Sequence, residues 1–287
     1  MSKTPSAAPH GQRDDGELTL VLNAAENAVQ IALADAENHL RFGSTISAPS
    51  RGVEVLTFTL ESALTVLGKK ATDIARIAAV HGPGSFTGIR LTATTAAGLA
   101  RAVSARQAGL DYMDCLACQC FPFLTAAPAD SILWVLVRAR RDLVYIRAFS
   151  LDQTPSRAFR ALMDLAVLPV SSGEAAALVL ETMRQTGASH AFFAGSGALE
   201  NRETLTAGLA AGQTGPTTFL DIASPSPETL LRVAADAAYS GADIVPLYIR
   251  ASDAETNLPQ IAARLGLDPD QAVRQLHELM HTKPEHE

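Results

Sequence analysis

The sequence predicts an α/β protein made of two similarly built lobes with a cleft between them. An alternating strand pair opens the chain after Gly16, and helices and a further strand follow it; the same order restarts at Ile132 with a second strand pair. Such a restart indicates a weak internal duplication. The length of 287 residues and the hydrophobic content of 47% allow both lobes a buried core.

The charge balance excludes some classes of protein. Lys and Arg number 23 and Asp and Glu number 30, so the formal net charge is -7. This balance argues against a stand-alone nucleic-acid binder, but not against a subunit of an RNA-modifying assembly. No stretch approaches the roughly 20 apolar residues that cross a bilayer, and residues 1–16 lack the apolar run of a secretory signal. We therefore expect a cytoplasmic protein without membrane contact, and a disordered tail over residues 1–16.

We expect the first lobe at residues 17–110. Leu18–Leu22 reads as an apolar strand and Val29–Leu33 alternates with polar or small residues, which predicts a hairpin. Val53–Leu67 has apolar residues at three- and four-residue steps, which predicts an amphipathic helix. A short apolar strand and a second, alanine-rich helix follow, at Ile74–Val80 and Ile89–Val103.

We expect the second lobe at residues 111–256. Its strand pair is Ile132–Val137 and Leu143–Phe149, joined by a charged turn at Arg138–Asp142. Ser226 is a good N-cap with proline after it, so a last helix begins there and runs to about Tyr239. This last helix could pack back on the first lobe. The other expected elements are a helix near Gly173–Thr186, a strand at Ala191–Ala194 that runs into Gly195-Ser196-Gly197, and a terminal edge at Pro246–Arg250.

Residues 257–287 are expected to form a helical appendix. Asp268–Gln271 has the residue types of a helix start, and one apolar stripe follows it. The stripe fits a helix that packs on the chain's own core, a helix that docks on another subunit, or a free tail.

The chain has three cysteines, Cys115, Cys118 and Cys120. Their odd number and close spacing argue against a disulfide framework and favour a reducing compartment. Three thiolates could hold zinc together with a fourth ligand. The surrounding segment is apolar, however, so buried structural thiols are the favoured interpretation.

The strongest local feature is the run His81–Arg90, HGPGSFTGIR, between a strand and a helix. Glycines let backbone N–H groups turn toward one point, and a helix N-terminus adds partial positive charge, so the run could cradle a phosphate or another anion. It could equally be a tight turn without a ligand. The run is not a P-loop and lacks the G-x-S-x-G pattern of a serine hydrolase. The candidate site residues are Gly82, Gly84, Ser85, Phe86, Thr87 and Gly88.

The segment Gly82–Arg90 resembles the signature of the TsaB family, a branch of the wider TsaD/TsaB family whose older label is glycoprotease. The resemblance extends over roughly Leu18–Glu255, because the first strand pair and the helix after the signature lie where the family has them. Pro246–Arg250 is similar to the family's closing Pro-x-Tyr-[LI]-Arg. The resemblance implies the two-lobed actin-like (ASKHA) ATPase fold that sugar kinases and Hsp70 share.

The same resemblance implies a scaffold without chemistry of its own. TsaB proteins pair with their catalytic relative TsaD, which transfers a threonylcarbamoyl group to N6 of adenosine 37 of tRNAs that read ANN codons; a P-loop ATPase, TsaE, joins the pair. We therefore expect TsaD-like and TsaE-like partners, contact with tRNA only through the complex, and a homodimer when the chain is alone. The partner surface is expected on helices of the first lobe, with the candidates Leu56, Leu60, Leu64, Ala93, Ala97 and Ala100.

Departures from the family pattern agree with this role. The family's first strand usually ends in Asp-Thr-Ser, and here these positions are Asn23-Ala24-Ala25, where an amide brings no charge to offset Mg²⁺. Arg138 stands where the family commonly has an acidic residue before Ala-Arg. The pair of histidines four residues apart that the catalytic relative uses for its metal occurs here only as His277 and His281, in the appendix. We expect no catalytic residue, no metal and no cofactor of its own, and a nucleotide would be held by backbone N–H groups alone.

Two other functions stay open. An enzyme of the same fold, either a small-molecule kinase or an ATPase, needs an acidic metal ligand near the cleft, and Asn23 and Arg138 argue against one. A protease needs a nucleophile and a base that no motif supplies. A local basic group fits either a solvated face or a contact to tRNA phosphates or to an acidic partner; it comprises Arg138, Arg140, Arg141 and Arg147.

Overall fold

The computed structural model describes residues 17–47, 52–140, 142–151, 160–164, 166–171, 173–212 and 215–247, together with Ala262, Asp268 and Gln271. Several residues named in the sequence predictions lie outside these ranges: the tail at 1–16, Arg141, Tyr248–Arg250, and almost all of the appendix, including His277 and His281. The chain divides into two compact units, Met1–Leu247 and Tyr248–Glu287. Both sheets belong to the first unit.

The first sheet has five strands: β1 (Leu18–Asn23), β2 (Val29–Ala34), β3 (Leu40–Ile46), β4 (Ile74–Gly82) and β5 (Arg106–Asp111). Their order across the sheet is β3-β2-β1-β4-β5. β2 pairs antiparallel with both β1 and β3, whereas β4 lies parallel to β1 and β5 parallel to β4. The predicted first hairpin and the strand after the first helix are thereby confirmed.

One face of this sheet is covered by α1 (Gly52–Leu67) and α2 (Phe86–Val103), which confirms both predicted helices of the first lobe. The side chain of Ser85 caps α2 by accepting a hydrogen bond from the backbone N–H of Gly88, and α2 ends at Ser104 in the left-handed conformation. The strands and the two helices share one buried cluster, which includes Leu20, Leu22, Ile31, Leu33, Leu56, Leu60, Leu64, Ile77, Ala96 and Ala100.

The second sheet follows α3 (Tyr112–Cys120), and its strands are β6 (Ile132–Arg140), β7 (Leu143–Ser150), β8 (Arg160–Ala161), β9 (Ala166–Pro169), β10 (Ala191–Ala194) and β11 (Thr217–Phe219). The order is β11-β10-β6-β7-β8, and β9 also pairs with β7. The helices of this part are α4 (Glu174–Thr186), α5 (Ser196–Glu200), α6 (Arg202–Ala210) and α7 (Pro227–Ala235).

The two sheets repeat one strand pattern. In each, an antiparallel pair comes first, β1–β2 or β6–β7, and the first strand of the pair then takes two parallel strands in succession on its other side. The predicted two-lobed α/β architecture is therefore confirmed, and the restart at Ile132 is visible in the topology.

The second face of the first sheet receives helices from later in the chain. α3 contacts β4 and β5, and α7 packs on β2 and β3. Gln30 points to this face, and its side-chain Nε2 donates to the carbonyl oxygen of Pro225 at 2.8 Å. The approach is close, because a Cβ added at Gly43 would lie 3.0 Å from the Cβ of Pro227.

Several predicted bounds are wrong. β3 was not predicted, since its side chains alternate between exposed and half-buried and it carries few strong apolar residues. The charged turn after β6 is shorter than Arg138–Asp142, because ladder pairing continues to Arg140 opposite Leu143. α7 ends at Ala235 rather than near Tyr239, and Pro246 is not in a strand. In the part of the chain that is described, no helix combines the length and apolarity needed to cross a membrane.

Candidate functional site: the turns between the two sheets

The glycine-rich loop packs against the β1–β2 turn. The backbone N–H of Ser85 donates to the carbonyl oxygen of Ala25 at 2.6 Å. A Cβ at Gly84 would lie 2.2 Å from the same oxygen, and a Cβ at Gly88 would lie 1.8 Å from the carbonyl oxygen of Ala24. These two glycines therefore have a packing reason that needs no ligand, and the anion cradle at this loop stays a prediction.

The remaining loop residues hold the start of α2. Gly82 has φ +133°, a backbone conformation that residues other than glycine rarely adopt. Phe86 is half-buried, and the guanidinium carbon of Arg90 lies 3.8 Å from the centroid of its ring. Thr87 is exposed. The predicted site residues are thus together in one turn, and the turn is braced by the hairpin beside it.

Asn23 is the residue at which the resemblance leads one to expect a metal-binding carboxylate. It is 3% exposed. Its Oδ1 accepts from the backbone N–H of Ala25 at 2.9 Å, and its Nδ2 donates to Oε1 of Gln30 at 2.6 Å. Both ends of this amide are therefore used to fix the turn that the glycine-rich loop packs on.

Glu26, next in this turn, is a functional candidate that sequence reasoning missed. Tyr112 at the start of α3 donates its hydroxyl to Oε2 of Glu26 at 2.6 Å, and Ser196 at the start of α5 donates to Oε1. Burial raises the pKa of Glu26, while the hydrogen bonds from Ser196 and Tyr112 and the charge of Arg138 oppose that rise. The sequence held no signal for this contact, because a polar residue in a turn is expected in solvent and Ser196 lies 170 residues away.

The turn that carries Ser196 repeats the arrangement at the glycine-rich loop. Gly195 has φ +98°, and a Cβ there would lie 2.2 Å from the carbonyl oxygen of Leu136 on β6. The Oγ of Ser196 accepts from the backbone N–H of Arg138 at 3.1 Å. In both lobes, therefore, a glycine turn packs on the hairpin of the same lobe.

The predicted basic group is divided by the fold. Arg138 lies near Glu200, with 3.8 Å between its Nε and Oε1 of Glu200, and both border a cavity of about 320 Å³ at the end of β6. Arg147 instead donates to Asp111 at 3.0 Å and to Asp114 at 3.3 Å, and its side chain is 15% exposed. The cavity is lined by Arg138, Arg140, Asp142, Leu143, Glu200 and Asn201.

The two aspartates that pair with Arg147, Asp111 and Asp114, lie where β5 ends and α3 begins. Asp111 caps α3 by accepting from the backbone N–H groups of Met113 and Asp114. Burial raises the pKa of Asp114 to about 6, with the negative charge of Asp111 adding to the rise, while Arg147 and His81 lower it. This cluster couples a first-sheet strand to a second-sheet strand by ion pairs.

Two further groups contain side chains of the types that ligate metals. Within the described residues, Asp35, Glu37 and His39 bring one potential ligand atom each within 4.8 Å of one another, at the turn between β2 and β3. An acidic turn of this kind is common without an ion. Cys115 and Cys120 are fully buried, in agreement with structural thiols, and burial raises the pKa of Cys120 to about 12.

Five of the six predicted partner residues are buried and have to be corrected, while Ala97 stays a prediction. Leu56, Leu60 and Leu64 are 1%, 8% and 7% exposed, so they pack inside the lobe because they form the apolar stripe that faces the sheet. Ala93 and Ala100 are buried as well, and Ala97 is half-buried. The large apolar side chains that α1 does expose are Val53, Phe58 and Val66, at 65%, 72% and 84%.

Comparison with known proteins gives one family model that matches, TsaD, described as tRNA N6-adenosine threonylcarbamoyltransferase, over residues 47–257. Among solved structures, an uncharacterized protein from Pseudomonas aeruginosa with similarity to peptidase YEAZ is 22% identical, with a TM-score of 0.61 over 82% of this chain and 100% of that chain. YeaZ from Pseudomonas aeruginosa is 21% identical, with a TM-score of 0.60 over 81% and 100%.

A more distant likeness is to a Bacteroides thetaiotaomicron protein described as having an actin-like ATPase fold and unknown function, at 11% identity and a TM-score of 0.41 over 78% of this chain and 99% of that chain. No curated protein matches the chain. The two Pseudomonas structures share the fold of this chain over their whole length. Because the TsaD model spans well over half of the chain, including the glycine-rich loop and the second sheet, this protein belongs to the TsaD family, which links it to threonylcarbamoyl modification of tRNA adenosine.

Proposed function

We propose that this chain is a TsaB-like, non-catalytic subunit that a TsaD-like subunit needs in order to transfer threonylcarbamoyl to N6 of adenosine 37 of tRNA. Membership of the TsaD family and the run Gly82–Arg90 support a role in this tRNA-modification system. The observation that carries the non-catalytic role is the state of Asn23: it is neutral, 3% exposed and bound at both ends of its amide. It therefore offers no charge to a metal–nucleotide complex, and its oxygen already accepts a hydrogen bond within the turn.

The partner surface that fits this role is the outer side of α1 with the neighbouring side of α2. Phe58 lies opposite the buried leucines of α1, and Val66 is two turns further along the exposed side. On α2, Thr94 and Gly98 are exposed, and a Cβ at Gly98 would meet nothing within 4 Å, so a second helix could approach closely. The occupant we propose is the corresponding helical face of the TsaD-like subunit, or of a second copy when that subunit is absent.

The other partners follow from this pairing. A TsaE-like P-loop ATPase would join the pair, and tRNA would be reached through the complex. The chain's net charge of -7 supports this arrangement, because an acidic protein gains little from phosphate contacts of its own. Two arginines of the chain, Arg138 and Arg140, border the cavity at the end of β6.

The test is reconstitution with the TsaD-like subunit of the same organism. We expect the two chains to co-purify, and threonylcarbamoyl transfer to tRNA to require this chain. Wild-type levels of transfer without this chain would contradict the proposal. Tight binding of Mg-ATP by the isolated chain would instead favour the alternative, an ASKHA-fold kinase or ATPase acting on a small molecule, for which the cavity of about 320 Å³ beside Arg138 and Glu200 is the supporting feature.

A further inference from the structure

Two hydroxyl donors from outside the first hairpin converge on Glu26. Tyr112 donates to Oε2 at 2.6 Å and belongs to α3, which lies between the sheets. Ser196 donates to Oε1 and belongs to the second lobe. The side chain of one turn residue in the first lobe therefore bridges to both elements at once.

The donors are held in place by contacts of their own. Tyr112 is 1% exposed, and the helix that carries it is capped by Asp111. The Oγ of Ser196 accepts from the backbone N–H of Arg138 at 3.1 Å, so its hydrogen is directed elsewhere, toward Glu26. Gly195, before it, is fixed against Leu136. This donor pair is thus a preformed site for a carboxylate.

We propose that Glu26 acts as a built-in carboxylate ligand that fills the donor site of Tyr112 and Ser196 and so holds the two lobes together without a bound nucleotide. The charge environment is balanced for this role, since Arg138 attracts the carboxylate and Glu200 repels it. Glu26 thereby keeps the pair of lobes in one arrangement before any partner binds, which is a function additional to that of a scaffold. This role also predicts that a small free carboxylate can replace the side chain.

The experiment is chemical rescue of Glu26→Ala in the full chain at neutral pH. Removal of the carboxylate leaves the buried hydroxyl of Tyr112 and the half-buried hydroxyl of Ser196 without this acceptor, and we expect Tm to fall by about 3–8 °C. Sodium acetate or formate should restore at least half of this loss in a saturable way, whereas sodium chloride at the same concentration should not. The matched control is Glu37→Ala in the exposed β2–β3 turn, whose Tm should respond to acetate only as the wild type does.

Two results would overturn the proposal: an unchanged Tm in Glu26→Ala, or an acetate effect no larger than in the wild type. If Glu26→Ala does not yield folded protein, Tyr112→Phe and Ser196→Ala carry the test. Each removes one donor while the carboxylate stays, so each should lower Tm and acetate should restore neither. Wild-type Tm in both would equally overturn it. Because Tm is measured on the isolated chain, the outcome does not depend on any TsaD-like partner.

Discussion

The side-chain amide of Asn23 donates to the side-chain carbonyl of Gln30 at 2.6 Å, and both residues are 3% exposed. Gln30 in turn donates from Nε2 to Thr45 at 3.1 Å and to the carbonyl oxygen of Pro225 at 2.8 Å. Each amide is therefore fixed in orientation by partners at both ends. A neutral chain of hydrogen bonds thus joins the first hairpin to the segment that leads into α7.

Asn23→Asp is expected to destabilise the protein. The new carboxylate can still accept from the N–H of Ala25, but its second oxygen faces Oε1 of Gln30, and the Nε2 of Gln30 is already used. A buried carboxylate without a second donor should lower the free energy of unfolding by about 1–3 kcal/mol, measured by urea denaturation.

The control is Asn27→Asp, which makes the same change at an exposed position of the same turn and should cost at most about 0.5 kcal/mol. Mg²⁺ is not expected to restore the stability of Asn23→Asp. Full recovery with Mg²⁺ would reveal a metal site in the cleft and would favour a kinase or ATPase over a scaffold.

Gly88→Ala tests the packing of the glycine-rich loop on the hairpin. A Cβ there would lie 1.8 Å from the carbonyl oxygen of Ala24, so either the turn or the start of α2 must move. We expect a loss of about 3 kcal/mol or more in the free energy of unfolding, or no folded protein.

Gly98→Ala provides the comparison in the same helix. A Cβ at Gly98 meets nothing within 4 Å, so alanine should stabilise by about 0.5–1 kcal/mol through its higher helix propensity. Equal effects at Gly88 and Gly98 in a thermal unfolding series would contradict the close packing at Ala24.

Periodicity predicted most of the fold because it reflects local chemistry. The three- and four-residue steps of α1 mark its buried side, whereas β2 is buried on both faces, so its alternation of residue types indicates a strand but no exposed face; the predicted bounds of both elements are nearly the true ones. β3 escaped prediction because a strand at the sheet edge with one half-covered face needs no strong apolar alternation.

Contacts between distant segments explain what the sequence could not predict at the site. The glycines of the loop were recognised as a turn, but only the fold shows that Ala24 and Ala25 lie against them. The contact of Glu26 with Ser196 joins residues 170 positions apart. The prediction of Leu60 as a partner residue is wrong because an apolar stripe usually covers the chain's own sheet. Phe58 is a single exposed apolar residue on the other side of the helix, so it forms no repeating pattern that sequence reasoning could recognise.

Phe58→Glu tests the proposed partner surface. The side chain is 72% exposed, so the free energy of unfolding should change by no more than about 0.5 kcal/mol. A charge placed in an apolar helix interface should weaken binding of the TsaD-like subunit by about tenfold or more, measured by calorimetry. Leu60→Glu is unsuitable for this purpose, because it would bury a charge in the core and unfold the lobe.

Phe123→Glu is the matched control for Phe58→Glu. It makes the same substitution at a side chain that is 64% exposed, at the end of the short helical turn after α3. Binding of the partner should be unaffected by this change. If both variants bind the TsaD-like subunit like the wild type, the partner surface is not on the outer side of α1.

Glu26 should also make stability depend on pH. Burial raises its pKa above the ordinary value of 4.5, so the folded chain binds this proton more tightly than the unfolded chain does. The stability that comes from this tighter proton binding is fully present below the ordinary pKa and is lost as pH rises through the raised value, whereas the hydrogen bonds from Tyr112 and Ser196 persist to the ionised carboxylate. Glu26→Gln keeps an acceptor for Tyr112 but cannot titrate. The Tm of the wild type minus that of Glu26→Gln should therefore fall as pH increases.

Asp114 titrates in the same direction and has to be separated from Glu26. Burial and the charge of Asp111 raise its pKa from 3.8 to about 6, so its contribution is lost between these values as pH rises. The Asp114 side chain is 54% exposed, so solvent screening reduces this contribution. Thermal unfolding of Asp114→Asn, Glu26→Gln and the double variant from pH 4 to pH 8 should give additive changes in slope, since different groups hold each carboxyl. A slope unchanged by Glu26→Gln would mean that folding does not raise the pKa of Glu26.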